Sequence, residues 1–201
     1  MDIDLTPRLV AKMNKKRPRT RGRYSASDVY SILAGYMSPE DWMYGSPKDA
    51  KSCIAMSKGS SIHAFIQEIL GGRDYKEQKV EKYIPELGIT LVGMADWLEP
   101  DEGWEFKSSV DTMQKAKPGH KMQAKLYCTM FERPRFRVFQ PLEWTPADST
   151  DHKFWLKELG VETRDDEWFK ATMLKLSKFH LKLEDLWNIP KSNQQLTGGL
   201  F

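Results

Sequence analysis

The stretch Ile89–Ser109, ITLVGMADWLEPDEGWEFKSS, constrains this chain most. It reads as two antiparallel strands closed by a tight turn at Glu99-Pro100-Asp101-Glu102. Pro100 suits the second position of a type I turn and Asp101 the third. Closing there pairs Glu99 with Glu102, Trp97 with Trp104, Asp96 with Glu105 and Met94 with Lys107. Side chains alternate along a strand with period two. Ile89, Leu91, Ala95, Trp97, Trp104 and Phe106 therefore make a core face, and Asp96, Glu105 and Lys107 share the other. Carboxylates directly across a strand pair stand roughly 4.5–5.5 Å apart at Cβ and repel. A divalent cation between them removes the repulsion, with Lys107 beside it.

The rest of the chain sets the context. A length of 201 residues suits one domain with a real core. The net charge of +3 is unevenly spread. Arg8, Lys12, Lys15, Lys16, Arg17, Arg19, Arg21 and Arg23 oppose only Asp2 and Asp4, so residues 1–23 carry +6 and the remainder −3. A basic arm on a mildly acidic body is a footprint of nucleic-acid binding. The arm, with Pro7 and Pro18, reads as extended and flexible. Two cysteines, Cys53 and Cys128, are too few for a four-cysteine zinc or iron–sulfur site and suggest a reducing compartment. No apolar run approaches the ~20 residues that span a membrane, and no secretory signal opens the chain. The expected location is cytoplasmic, or inside the host cell if the source is viral.

In chain order, Ser25 or Ser27 caps a helix carrying Val29, Tyr30, Ile32 and Leu33. A polar loop with Pro39, Gly45 and Pro47 follows. A second helix lies within Lys51–Leu70, best over Gly59–Leu70, and stops at Gly71-Gly72. Its apolar stripe is Ile62, Phe65, Ile66, Ile69 and Leu70. His63 and Gln67 share an adjoining face. Gln78–Ile84 is a strand that turns through Pro85–Gly88 into the hairpin. A helix from Pro118 to about Phe131 buries Met122, Leu126 and Met130 and presents His120, Gln123 and Tyr127 on another face. Phe136–Gln140 is a short strand. Residues 151–187 read as amphipathic helix, with Phe154, Leu156 and Leu159 in its first part. The domain thus runs over 24–190, with a flexible tail at 191–201. This order predicts an α/β domain with a mixed sheet between helices.

Four short patterns fall in one order: His63 on a helix, Gly93-Met94-Ala95-Asp96 on a strand, Glu105-Phe106-Lys107 on the next strand, and Gln123-x-x-x-Tyr127 on a helix. The set resembles the PD-(D/E)XK nuclease superfamily, in its RecB-like, lambda-exonuclease-like branch. The resemblance covers about residues 25–140, and Ser108-Ser109 fits the small polar residues found after Glu-x-Lys there. It implies a restriction-endonuclease-like core, here with extra C-terminal helices. The cluster-bearing members use four cysteines, so no iron–sulfur cluster is expected.

The resemblance and the chemistry of the residues together set the expected roles. Asp96, Glu105, His63 and the Phe106 carbonyl would hold Mg²⁺ or Mn²⁺, the imidazole suiting manganese better. Glu68 or Glu77 would support a second ion. Lys107, Gln123 and Tyr127 would act at the scissile phosphate. Lys15, Lys16, Arg17, Arg19, Arg21 and Arg23 of the arm, with Lys121 and Lys125, would bind phosphates without reading sequence. His120 would add to them. The expected activity is metal-dependent cleavage of DNA, as an exonuclease of phage-type or cellular replication, recombination or repair. A structure-specific endonuclease and a non-catalytic DNA-binding protein on the same fold are the alternatives. The end Gln194-Gln195-Leu196…Leu200-Phe201 vaguely resembles a peptide for a sliding clamp, so a clamp or a single-strand-binding protein is a further expected partner.

Overall fold

The computed structural model describes residues 4–15, 19–45, 47–71, 76–109, 111–144 and 153–188. A mixed six-stranded sheet lies between helices. The helices are α1 (Thr6–Met13), α2 (Ala26–Leu33), α3 (Pro39–Tyr44), α4 (Ala50–Leu70), α5 (Pro118–Met130) and α6 (Asp166–Trp187). The strands are β1 (Arg23–Ser25), β2 (Lys76–Ile84), β3 (Ile89–Leu98), β4 (Glu102–Phe106), β5 (Arg135–Trp144) and β6 (Lys153–Thr163). The α/β class expected from the sequence is the one observed.

β3 is the hub. β2 pairs with it antiparallel along its whole length, from Ile84–Ile89 to Lys76–Trp97. Its other edge is therefore shared. β1 runs parallel beside Thr90–Val92, and β4 runs antiparallel beside Trp97–Leu98. β4 then pairs parallel with β5, and β5 antiparallel with β6. The hairpin turn falls where expected, with the Glu99 amide donating to the Glu102 carbonyl at 2.8 Å. The ladder holds only Trp97–Trp104 and Leu98–Gly103. The expected Asp96–Glu105 and Met94–Lys107 pairs are not ladder pairs, because β4 leaves β3 for β5 after two residues.

That divergence also splits the expected core face. Ile89, Leu91 and Ala95 join the main core with Tyr24, Leu126, Phe136 and Leu176. Trp97 and Phe106 pack with Ile66 in a second cluster, flanked by Ile62, Leu70, Trp104 and Phe139. On α4, Phe65 and Ile69 stay exposed.

Three segments differ from expectation. Within the arm, Thr6–Met13 is helical, and Asn14 ties it down by exchanging two hydrogen bonds with the backbone of Lys48. The loop before α4 contains α3, whose capping box joins Ser38 and Asp41. Residues 153–163 form β6 rather than helix, which leaves one C-terminal helix. The cause is a bulge. Val138 pairs with Gly160 and Phe139 with Glu158, so Leu159 has no partner on β5. The extra residue turns a spacing of two into the Leu156-to-Leu159 spacing of three, which imitates a helix. The carbonyl of Leu159 accepts from the Ala116 amide at 3.0 Å and so anchors the segment leading into α5. Lys16, Arg17 and the tail from 191 lie outside the described residues.

Candidate active site

Between its two neighbours on the shared edge, β3 has no strand alongside Gly93–Asp96. Side chains fill that place. The Tyr127 hydroxyl accepts from the Met94 amide and donates to the Met94 carbonyl, both at 3.2 Å. The Asp96 carboxylate accepts the Phe106 amide at 2.8 Å. Gly93 is required by this packing: a Cβ there would stand 2.6 Å from Tyr127 Cε1 and 3.0 Å from Met130 Cε.

The interruption of the sheet gathers the candidate residues. Asp96 Oδ1 lies 3.2 Å from His63 Nδ1 on α4. One turn further along α4, buried Gln67 donates from Nε2 to the Asp96 carbonyl at 2.8 Å. Glu105 is 2 % exposed. Its Oε2 accepts from Lys107 Nζ at 2.8 Å and from Gln123 Nε2 at 3.3 Å. Lys107 also donates to Gln123 Oε1 at 2.9 Å, and Gln123 Nε2 to the Tyr127 hydroxyl at 3.0 Å. Sequence spacing thus brought His63, Asp96, Glu105, Lys107, Gln123 and Tyr127 to one place. Gln67 was not among the expected site residues; its signal was a position one helical turn from His63.

Burial dominates the electrostatics. Glu105 is pushed up to about 8 by loss of water, opposed by Lys107 and reinforced by the charge of Asp96. Burial likewise raises the Tyr127 phenol well above its ordinary value, so it stays protonated. Two polar atoms of the cluster are shut from solvent without a hydrogen-bond partner: Glu105 Oε1 and His63 Nε2. Among the described residues no group of three His, Cys, Asp or Glu side chains is arranged to hold a metal ion as it stands. Two carboxylates and an imidazole are nonetheless a donor set that fits a hard or borderline divalent cation. The two orphaned atoms are the ones such an ion would satisfy.

The outer residues divide. Glu68 is exposed on α4. Glu77 is exposed on β2 with a φ of 37°, level with Asp96 between the Lys76–Trp97 and Gln78–Ala95 pairs. Lys121 is exposed. Lys125 is held by Asp165 at 3.0 Å and lies over the Trp168 ring, so its charge is compensated. The arm is also partly compensated: Arg19 pairs with Asp28, Arg21 with Glu184 and Arg23 with Glu81. Lys12 and Lys15 make no ion pair among the described residues. They line an open groove of about 840 Å³ with Arg19, Tyr44 and Lys48, and Val92 of β3 is part of its wall. Val92 and Asp96 are four residues apart on the side of β3 turned from the core, roughly 13 Å at the strand rise.

The comparisons with solved structures agree with this architecture. The alkaline exonuclease LHK-Exo from Laribacter hongkongensis superposes with a TM-score of 0.57 at 18% identity, over 94% of this chain and 99% of that one. Its complex with dAMP gives a TM-score of 0.58 at 17% identity, with the same coverage. A phage-related exonuclease from Haemophilus somnus gives 0.51 at 16% identity, over 88% of this chain and 100% of that one. The chain shares the fold of these exonucleases. At these identities the likeness is one of fold alone. No protein-family model matches the chain, and no curated protein matches it. Among the described residues no helix is long and apolar enough to cross a membrane.

Proposed function

We propose that this chain is a metal-dependent nuclease that hydrolyses phosphodiester bonds of DNA, and that it works as an exonuclease. One observation carries the reading. In the hydrogen-bonded Asp96–Glu105–Lys107–Gln123–Tyr127 cluster, which His63 joins through Asp96, two buried polar atoms have no hydrogen-bond partner: Glu105 Oε1 and His63 Nε2. Buried polar atoms left without partners destabilise a fold, and a ligand that supplies the partner accounts for their persistence.

Asp96, Glu105 and His63 would hold Mg²⁺ or Mn²⁺, with the Phe106 carbonyl as a further oxygen donor. When bound there, such an ion would supply a water of lowered pKa and would neutralise charge on a phosphate oxygen. Lys107, clamped between Glu105 and Gln123, presents an ammonium beside the phosphate as charge develops there. Gln123 fixes that ammonium and, through Tyr127, joins it to the backbone of β3. Tyr127 acts by position: its hydroxyl is occupied on both sides by Met94. Lys12 and Lys15 extend the phosphate-binding surface along the groove, giving affinity without sequence choice. The exonuclease neighbours support the choice of a nucleic-acid end as substrate by fold only.

The deciding assay incubates the full chain with end-labelled linear DNA and with closed circles, in Mg²⁺, Mn²⁺ or EDTA. Loss of linear DNA alone, only with metal, is the expected result. Cutting of circles would make the enzyme an endonuclease, and absence of metal-dependent cutting would overturn the reading.

A further inference from the structure

Three consecutive residues of α3 meet different surroundings. Trp42 is fully buried, with its ring 5.1 Å from that of Tyr24 and 5.9 Å from that of Trp187. Met43 packs in part against the same core. Tyr44, the last residue of the helix, is 53 % exposed, and its ring meets no other aromatic ring among the described residues. The buried Trp42 and the capping box at Ser38 and Asp41 hold α3, so the core sets where the Tyr44 ring stands. It stands in the groove beside β3. Lys12, Lys15, Arg19, Arg23 and Lys48 line that groove, and no acidic side chain does. Arg19 and Arg23 are held from outside it by Asp28 and Glu81. Lys12, Lys15 and Lys48 make no ion pair among the described residues. The two bonds between Asn14 and the Lys48 backbone tie the α1 wall to the segment that enters α4. On β3, Val92 of the wall, Met94 and Asp96 follow one another on the side turned from the core, and Met94 is 49 % exposed. One face of one strand thus joins the groove to Asp96.

The cations and the ring select different parts of a ligand. Lysines draw phosphates and take one strand or two alike. A flat exposed ring takes the face of a base, and every base has one, so stacking tolerates any sequence. Along a duplex those faces are covered by the neighbouring pairs; an unpaired strand offers them. The groove, at about 840 Å³, is on the scale of a small-molecule site, roughly 300–1,000 Å³. It has room for a few nucleotides of one strand and is too small for a duplex.

We propose that Tyr44 is a base-stacking residue and that the groove binds one unpaired DNA strand, which β3 leads to Asp96. Delivery to Asp96 rests on the nuclease reading above; binding in the groove stands on its own observations. The specificity that results is for single-stranded ends and overhangs over paired DNA, with no choice of base.

The test first reads binding without cleavage. The full chain is titrated in EDTA into three fluorescein-labelled probes: a short single strand of mixed sequence, the same strand in a blunt duplex, and an abasic strand of equal length. Anisotropy is the readout. Tyr44→Ala is expected to weaken binding of the base-bearing single strand about fivefold or more, the lower end for one stacked base. Its affinity for the duplex and for the abasic strand is expected to match wild type. Its salt slope should match too, because stacking releases no counterions. Tyr44→Phe and Tyr44→Trp keep a flat ring and are expected to bind as wild type does. Tyr44→Leu, which keeps apolar bulk without the flat ring, serves in place of the alanine variant should that misfold. Wild-type affinity of Tyr44→Ala for the base-bearing strand overturns the proposal, and so does an equal loss on the duplex or on the abasic strand. Cleavage is then read in Mg²⁺. Duplexes with a single-stranded overhang are expected to be cut at lower KM than blunt ones, and Tyr44→Ala to remove that difference. Equal KM for the two in the wild type overturns delivery along β3. A chain that cuts no DNA under any condition overturns the nuclease reading, and the titrations in EDTA still decide whether Tyr44 stacks a base.

Discussion

The Tyr127 hydroxyl stands 3.2 Å from both the amide and the carbonyl of Met94, in the place where a neighbouring strand would bond. A side chain from α5 therefore completes the edge of β3 just before Asp96. Replacing Tyr127 by Phe keeps the ring and leaves the Met94 amide and carbonyl, in a partly buried place, without this partner. The expected loss is about 1–3 kcal/mol of unfolding free energy, read from urea denaturation. Gly93→Ala is expected to cost more, because its methyl group enters the Tyr127 ring. A Tyr127→Phe chain as stable as the wild type would show that the edge needs no brace.

Asp96, Glu105 and Lys107 are expected to carry the cleavage step. Asp96→Ala, Glu105→Ala and Lys107→Ala should each lower the initial rate on linear DNA by at least about a hundredfold. DNA affinity, measured by fluorescence anisotropy, should change little. Wild-type cutting by Lys107→Ala would remove the role given to that ammonium.

Stability should depend on pH through Glu105. Its carboxyl is raised from an ordinary value of 4.5 to about 8 in the fold. Between those values the folded chain keeps a proton that the unfolded chain has released. Stability without metal therefore falls as pH rises from 4.5 through 8. Two histidines act in the opposite sense below pH 6.5: His120, down to about 4, and His180, also lowered, both by burial first. The window from 6.5 to 8 therefore isolates Glu105. Thermal melts should show a falling melting temperature there in EDTA and a flatter slope for Glu105→Gln. Mn²⁺ should stabilise the wild type more at the alkaline end, because binding needs the ionised carboxylate. An equal slope in Glu105→Gln would assign the effect elsewhere.

The basic arm should divide by function. Lys12 and Lys15 have no ion pair among the described residues and face the groove, so the double alanine variant should bind DNA more weakly. Its log–log salt dependence should flatten by about one to two units, as expected for one or two lost phosphate contacts. Arg21→Ala breaks the pair with Glu184 and leaves the Trp187 ring. It should lower melting temperature more than salt slope. A salt slope unchanged in Lys12→Ala/Lys15→Ala would exclude the groove as a DNA path.

Local chemistry made some elements legible. Pro100-Asp101 closed the hairpin where expected, Gly71 ended α4 in the left-handed region, and the polar face of α5 carried Gln123 and Tyr127. The capping box at Ser38 and Asp41 was equally local and marked α3, a helix of six residues too short to show a periodic stripe. β6 was illegible for a different reason: its bulge at Leu159 is set by pairing with a strand about twenty residues earlier.

Residue order alone determined that Asp96 and Glu105 lie on adjoining strands, with Lys107 just past the second and Gln123 and Tyr127 on a following helix, because strand and helix periods are short-range properties of the backbone. Only the tertiary structure decided how they meet. β1 and β4 share one edge of β3 and leave part of it bare, so Asp96 accepts the Phe106 amide and Tyr127 takes up Met94. It also decided which cations are compensated, since Glu81, Glu184 and Asp165 reach the arm and α5 from distant segments. Charge counted along the chain is blind to such pairing, because it depends on distance in space.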